Sequence, residues 1–434
     1  MHSSYSQVLN ALLFHQRSRN IGDTESYSLI KSIVDPKFIL SEHKVVEKIK
    51  HLKLDVAYKT SILDSQRPNH LKKVVLHVLK VFDLRDLFTK LFSLPNFFDE
   101  VLGYVDSLDN DSDWISNIVQ SEYWKEIKST LNLQADELAL PVYIYNDDFE
   151  PLNALGSHRG AYKLSGVYAY MPCLPPQVQS KLEYIFLAML FFATDRSFYG
   201  NSRVFTPLIE QLNALQVGIK VNHEKYSTVK LIPILLLGDN LGLNTMMGFV
   251  QCFVANFYCR ICRMNKSQMG TAILDDASKL RTKENYEQDL RTNNYSLTGI
   301  HENSVWNNMN HFHVTNNLCV DIMHDLFEGA CHVVFCELLH AFIYKHKYFT
   351  LAHFNKRLKQ HNFGPINKNT NIALVTKERI EQRKLNTSAS EMLVLFTSFG
   401  FMVGDLIPEE SLEWDVYLIM RSSYFCTATE KYLC

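Results

Sequence analysis

The run from Leu231 to Cys262, LIPILLLGDNLGLNTMMGFVQCFVANFYCRIC, constrains this chain more than any other segment. An uninterrupted apolar stretch that ends at Gly238 and Asp239 reads as a buried strand giving way to a Gly-containing turn and an apolar helix. Many α/β folds present a metal-binding carboxylate at such a strand end. Cys259 and Cys262 follow closely with C-x-x-C spacing, which in a non-secreted chain reads first as half of a zinc site.

The chain has 434 residues, 47% of them hydrophobic, enough to bury a substantial core. That length leaves room for roughly two or three domains. The nine cysteines are odd in number and scattered from Cys173 to Cys434 without framework spacing, so reduced thiols and an intracellular location are expected. The N-terminal MHSSYSQVLNALLFHQRSRN lacks a basic segment followed by a long apolar core. The longest apolar run, Tyr184 to Ala193, falls short of the ~20 residues a membrane helix needs, so no membrane partner is expected. A net charge of −2 and a sequence pI near 6.8 weigh against a broad nucleic-acid-binding surface. Local basic clusters remain, at Lys72, Lys73 and Lys80 and at Lys345, Lys347, Lys356, Arg357 and Lys359, for which solvated helix faces are the plainer reading.

Residues 1–135 read as mainly helical, with apolar residues at helical spacing in HLKKVVLHVLKVFDLRDLFTKLF (70–92) and less cleanly in 96–124. Asp106 to Asp113 carries alternating acids like a calcium loop, but without the central Gly and closing Glu it reads as a polar loop or helix cap. At Leu138 the texture changes. LALPVYIYNDD is a strand ending in paired acids, and AYKLSGVYAYMP, after a turn, is a second strand paired with it. EYIFLAMLFF shows no usable period, whereas RVFTPLIEQLNALQVG reads as a helix with Pro207 in its first turn and Gly218 near its end. With VKLIPILLLGD as the next strand, the order suits a mixed sheet with a right-handed crossover. Residues 263–300 are a polar insertion, 316–346 a long amphipathic helix weakened by Gly329, and the remainder again helical. No internal repeat or low-complexity tract is present.

Three groups of residues carry chemistry. If the strands ending at Asp147, Asp148 and Asp239 are neighbours, their carboxylates converge where Mg²⁺ or Mn²⁺ could bridge them, the arrangement used in phosphodiester chemistry. The competing account is that Asp147 caps a turn and Asp239 a helix. Asp321, His324, Asp325 and Glu328 share one helical face beside Ile322, Met323, Leu326 and Phe327. Metal ligation or proton transfer would explain them; so would a capping and ion-pair cluster at a helix start. For zinc, Cys259 and Cys262 need two more ligands, with His301, His311, His313, Cys319 and His324 available downstream, or else they are a buried, unligated thiol pair. No phosphate-binding Gly loop, G-x-S-x-G elbow or H-E-x-x-H is found.

Together these pieces resemble the CACTA (En/Spm-like) transposases and the related transposase-like proteins of animal genomes. The resemblance runs from about Leu138 to Glu328, and more loosely to the end. It is carried by DDFEPLNALGSH (147–158), VYAYMPCLPP (167–176), FTPLIEQLN (205–213), GDNLGLNTMMGF (238–249), YCRIC (258–262), and SLTGI followed by VDIMHDLFEG (320–329). It implies an RNase H-like core with a D-D-D/E metal site that cuts DNA and joins it to a target, EYIFLAMLFF being its third strand. Asp147 matches the first acid, with Asp148 as the adjacent alternative, and Asp239 the second. The C-x-x-C pair and the D-x-x-H pair, Asp321 and His324, are family features. The chain departs from the pattern in two respects. The final catalytic glutamate is expected after a lysine- and histidine-rich stretch that finds no match here, leaving Glu328 and Glu391 as the nearest internal candidates. No zinc-finger or helix-turn-helix pattern precedes residue 138.

The expectation is therefore an α/β protein with an RNase H-like mixed sheet core and helical insertions, preceded and followed by mainly helical regions. The core's first part would span 136–262, and a helical region with the D-x-x-H motif and an incomplete part of the core 301–434. Its ancestral activity would be metal-dependent DNA cleavage and strand transfer in a C-terminally truncated or domesticated descendant. Asp147 and Asp239 would hold Mg²⁺ or Mn²⁺, Cys259 and Cys262 a structural Zn²⁺, and Asp321 and His324 would support the site. DNA is the expected partner, a homo-oligomer the expected assembly and the nucleus the expected location. The alternatives are a domesticated, non-catalytic, zinc-stabilised interaction protein and a metal-dependent hydrolase of smaller phosphoesters.

Overall fold

The computed structural model describes residues 58–66, 75–108, 115–150, 163–179, 181–274, 276–365, 367 and 370–428. Most of the calcium-like stretch 106–113, Lys72, Lys73 and most of DDFEPLNALGSH lie outside them. The chain forms two compact units, one of Met1–Ser112 and Asn117–Cys319, the other of Asp113–Ser116 and Val320–Cys434. The polar insertion belongs to the first, whose core takes in Tyr286 and Ile300.

The first unit is built on a seven-stranded mixed sheet. Its strands are β1 (Tyr58–Gln66), β2 (Val75–Phe82), β3 (Glu137–Phe149), β4 (Leu164–Tyr170), β5 (Ile185–Phe192), β6 (Ile219–Lys220) and β7 (Thr228–Leu237), in the spatial order β1-β2-β5-β4-β3-β7-β6. Neighbours are antiparallel except β3 and β7, which run parallel. A parallel neighbour requires a crossover, and the long helix Ala193–Val217 supplies it between β5 and the β6–β7 hairpin. That helix starts earlier than its sequence suggests and is broken at Gly200, whose φ of 80° is open to glycine. Pro207 consequently lies in the helix interior and not in its first turn.

Where it is described, the N-terminal region combines helices with the two strands β1 and β2. The helical period expected over 70–92 divides at Asp83: Val75–Phe82 is strand β2, and Leu84–Phe92 is a helix whose first turn is capped by the Asp83 carboxylate accepting from the Asp86 N–H. Leu79 and Val81 are buried while Lys80 and Phe82 are less so, the two-residue period of a strand. Val, Leu and Phe satisfy both periods in so short a run, and pairing with β1 and β5 decides between them.

Both faces of the sheet are covered, which explains why β3 and β7 read as almost continuous apolar runs. On one face Val204, Phe205, Leu208 and Leu212 of the crossover helix join Leu140, Val142, Ile144 and Leu231. On the other, Ile118 and Trp124 pack on Ala139, Ile232, Ile234 and Leu235.

The second unit is helical. Met323–Ala330 and Ala341–Lys345 are wound as π-helix around the α-helical Cys331–His340, and Leu351–Gln360, Ala389–Val403 and Leu412–Ala428 complete the unit. Phe335, Phe354, Phe396, Phe399 and Tyr417 form its centre. The Tyr417 hydroxyl donates to Phe396 O at 3.0 Å and accepts from the Gly400 N–H at 2.9 Å. Met323–Lys345 and Ala389–Leu406 are long and apolar enough to cross a membrane by length and composition, a property that core helices share.

Candidate functional site

The paired strands β3 and β7 carry their acids to one end of the sheet, but their register is not simple. Val142 pairs with Pro233 and Tyr143 with Leu235, so Ile234 is an extra residue in β7, a bulge beside a proline that has no N–H for the ladder. The Ile234 carbonyl accepts instead from the Tyr123 hydroxyl at 3.0 Å and the Asn317 amide at 2.8 Å. Beyond the bulge Tyr145 pairs with Leu237, and continuing two residues sets Asp147 beside Asp239. Directly paired residues of parallel strands point to the same face, ~4.8 Å apart. Asp147 and Asp239 therefore share the face of Tyr143 and Tyr145, while Asp148 lies on the opposite face with Ile144 and Asn146.

Asp239 is also the N-cap of the helix Asn240–Met247, accepting from the Gly242 N–H. The capping account of this residue is thus met, yet capping engages one oxygen and leaves the other. Asp147 shares its face of the sheet with Tyr145, two residues before it on the strand. Partial burial, followed by the charges of Asp239 and Asp148, raises the Asp147 carboxyl above its ordinary range, against the opposing effects of the backbone and the Tyr145 hydroxyl. Burial and the neighbouring Asp147 push the Tyr145 phenol up to about 12. Across from Asp147 stands Gly166, where a Cβ would lie 2.7 Å from the Tyr168 hydroxyl. The missing side chain makes room for that ring.

Asp148 has different company. Its Oδ2 lies 3.4 Å from Lys163 Nζ and 3.6 Å from Arg196 Nη2, while its Oδ1 is buried without a partner. The Arg196 side chain is only 10% exposed, and its Nε and Nη1 are buried and unpaired. Burial pulls the Arg196 guanidinium below its ordinary value, opposed by Asp148 and Asp239. Tyr145 was legible as the neighbour two residues before Asp147 on a strand. Arg196 was not, because its position depends on where the crossover helix starts.

The C-x-x-C pair lies in the loop after the Asn240–Met247 helix. Cys259 Sγ accepts from the N–H groups of Ile261 and Cys262, both at 3.3 Å, a cradle suited to a thiolate. Burial raises the Cys262 thiol, with Cys259 adding to the effect and Arg281 opposing it. The expected extra ligands are engaged elsewhere. His311 Nδ1 is 3.2 Å from Thr130 Oγ1, His313 Nδ1 is 2.7 Å from Thr315 Oγ1, and Cys319 Sγ donates to Leu236 O at 3.1 Å. His301 packs its ring on Tyr295. Among the described residues no group of three or more His, Cys, Asp or Glu is disposed to hold a metal ion.

In the second unit Asp321 stands before the helix, where its Oδ1 accepts from the His324 N–H at 3.1 Å and its Oδ2 is 2.5 Å from His324 Nδ1. This is a helix-start cap that also orients the imidazole. Asp325 and Glu328 are exposed, and so is Met323, so the apolar stripe is narrower than its sequence suggests. Glu391 closes a capping box with Ser388. Glu328 and Glu391 belong to the second unit, and neither joins a described metal-holding group.

The Asp147–Asp239 pair fits Mg²⁺ or Mn²⁺, because such ions take one or two carboxylates and complete their shell with water and phosphate oxygens. Its two hard acids stand on one face, and partial burial and the neighbouring charges raise Asp147, a repulsion that a cation would relieve. Compared with known proteins, the chain matches no family model and no curated sequence.

Proposed function

We propose that the first unit is a transposase-derived, RNase H-like core whose ancestral chemistry is metal-dependent cleavage and transfer of a DNA strand. The observation that carries this reading is the adjacency of Asp147 and Asp239 across the sheet's parallel strand pair. The order β5-β4-β3-β7, an antiparallel meander with a crossover return beside its first strand, agrees with such a core. A bound Mg²⁺ or Mn²⁺ supplies activation of the attacking nucleophile and charge stabilisation at the leaving oxygen. Asp147 and Asp239 would hold that ion, and the helix cap fixes Asp239. Such a protein acts on DNA and in the nucleus.

The test is nicking of supercoiled plasmid DNA in Mn²⁺. The unaltered chain is expected to nick, and Asp239→Asn, which still caps a helix, to reduce the rate at least ~100-fold with its circular dichroism unchanged. Undiminished nicking by that variant refutes the assignment.

The thiol cradle at Cys259 favours a second reading, a zinc-stabilised interaction protein that retains the fold without the chemistry. It predicts that a zinc chelator lowers the melting temperature while Asp147→Asn and Asp239→Asn leave every function intact.

A further inference from the structure

Arg196 is the least satisfied charged side chain beside the acid edge. A guanidinium carries five N–H donors in a planar fork, and burying donors without partners is costly, about 1–3 kcal/mol for each unmet group. Arg196 makes no hydrogen bond among the described residues, and its nearest acid oxygen, Asp148 Oδ2, is 3.6 Å away. A pair serving stability alone would close into the two parallel bonds available to arginine and carboxylate, satisfying both partners. Here Asp148 Oδ1 is left bare as well. Held by one long contact, the fork can turn toward a tetrahedral anion at the strand ends without breaking a bond it now makes. Lys163, half-exposed and 3.4 Å from the same Oδ2, adds a second cation. The edge is thus divided in charge: two acids on one face, and an acid flanked by two cations on the other.

We propose that Arg196 and Lys163 form a phosphate-binding pair for the DNA backbone, held in place by Asp148, which is a positioning residue and not a metal ligand. The inference rests on the metal reading of Asp147 and Asp239 and assigns the other face of the same strand end. The planar fork of Arg196 suits two non-bridging oxygens better than a point charge does.

The test is fluorescence anisotropy of a labelled DNA duplex with the full chain in Ca²⁺ over a salt series, alongside Mn²⁺ binding followed by electron paramagnetic resonance. Arg196→Met is expected to weaken DNA binding at least ~10-fold and to make the salt dependence shallower by about one phosphate contact. Lys163→Met acts in the same direction to a smaller degree. Asp148→Asn loosens DNA while leaving Mn²⁺ affinity unchanged, and Asp147→Asn and Asp239→Asn lose Mn²⁺. If Arg196→Met does not fold, Arg196→Lys, which keeps the charge and loses the fork, and Lys163→Met carry the test. Unaltered affinity and salt slope in the cation variants, no DNA binding by the parent chain, or loss of Mn²⁺ in Asp148→Asn each overturn the proposal. Mn²⁺ binding undisturbed in both Asp147→Asn and Asp239→Asn overturns the metal reading instead, and DNA binding in EDTA then judges Arg196 by itself.

Discussion

Two arginines in the first unit sit beside aspartates in low-exposure surroundings, and they are treated in opposite ways. Arg281, in the insertion, has a side chain 1% exposed and a partner at every nitrogen: Nε donates to Cys259 O at 3.1 Å, Nη1 to Asp289 at 3.3 Å and Nη2 to Thr298 O at 2.7 Å. Arg263 closes on the same Asp289 with two bonds, at 3.0 and 2.7 Å. Arg196, at the acid edge, has one long contact and two bare nitrogens. A charge cluster whose donors and acceptors are matched is complete as it stands and serves the architecture. One left mismatched retains capacity for something the chain does not itself supply.

Substitutions that remove each arginine separate these roles. Arg281→Met leaves Asp289 to Arg263 but takes the donor from the Cys259 and Thr298 carbonyls, and is expected to lower stability by about 2–3 kcal/mol in urea unfolding. Arg196→Met removes a guanidinium that forms no hydrogen bond and should be far milder; a loss as large as that of Arg281→Met would make both arginines architectural and collapse the contrast. Next in size, Asp239→Ala removes the helix cap and costs about 1 kcal/mol, whereas Asp239→Asn retains it and leaves stability nearly unchanged. A large loss in Asp239→Asn would mean that the edge is structural. The smallest effect belongs to Asp147. Its folded carboxyl is raised, so the stability of its protonated form is present at acid pH and lost as pH rises through the raised value. Asp147→Asn should therefore be more stable than the parent at neutral pH by a few tenths of a kcal/mol, solvent screening keeping the gain small. The difference should close below the ordinary carboxylate range.

What the sequence disclosed follows from how local each signal is. The strand before Asp239, its hand-over to a helix and the β3–β4 pair were legible, because a long apolar run and a Gly turn act within a few residues. Strand β2 was hidden because its Val, Leu and Phe fit a helical period equally well until β1 and β5 are present. The break at Gly200 and the interior Pro207 escaped for a related reason, since the crossover helix begins within a segment with no clear period. Among the site residues, the Asp147/Asp148 ambiguity could not be resolved from β3 alone. The register with β7 sets which of them stands beside Asp239. The extra histidines proposed for zinc were grouped by proximity in sequence, whereas each finds a local partner in the fold.

Ile234 therefore carries more than its place in the core suggests. Were Ile234 paired in line with Tyr143 instead of bulged out, the register that joins Val142 to Pro233 would continue unbroken, and Asp148, not Asp147, would stand beside Asp239. Deleting Ile234 would remove the bulge and keep Asp147 beside Asp239, whereas closing the bulge with Ile234 retained would bring the adjacent acid there instead, with every acid in the chain untouched. Tyr123 and Asn317, far apart in sequence and joined on the Ile234 carbonyl, act as guardians of that choice. Which carboxylate stands beside Asp239 is thus set by a backbone irregularity in the neighbouring strand, through no change in any acid.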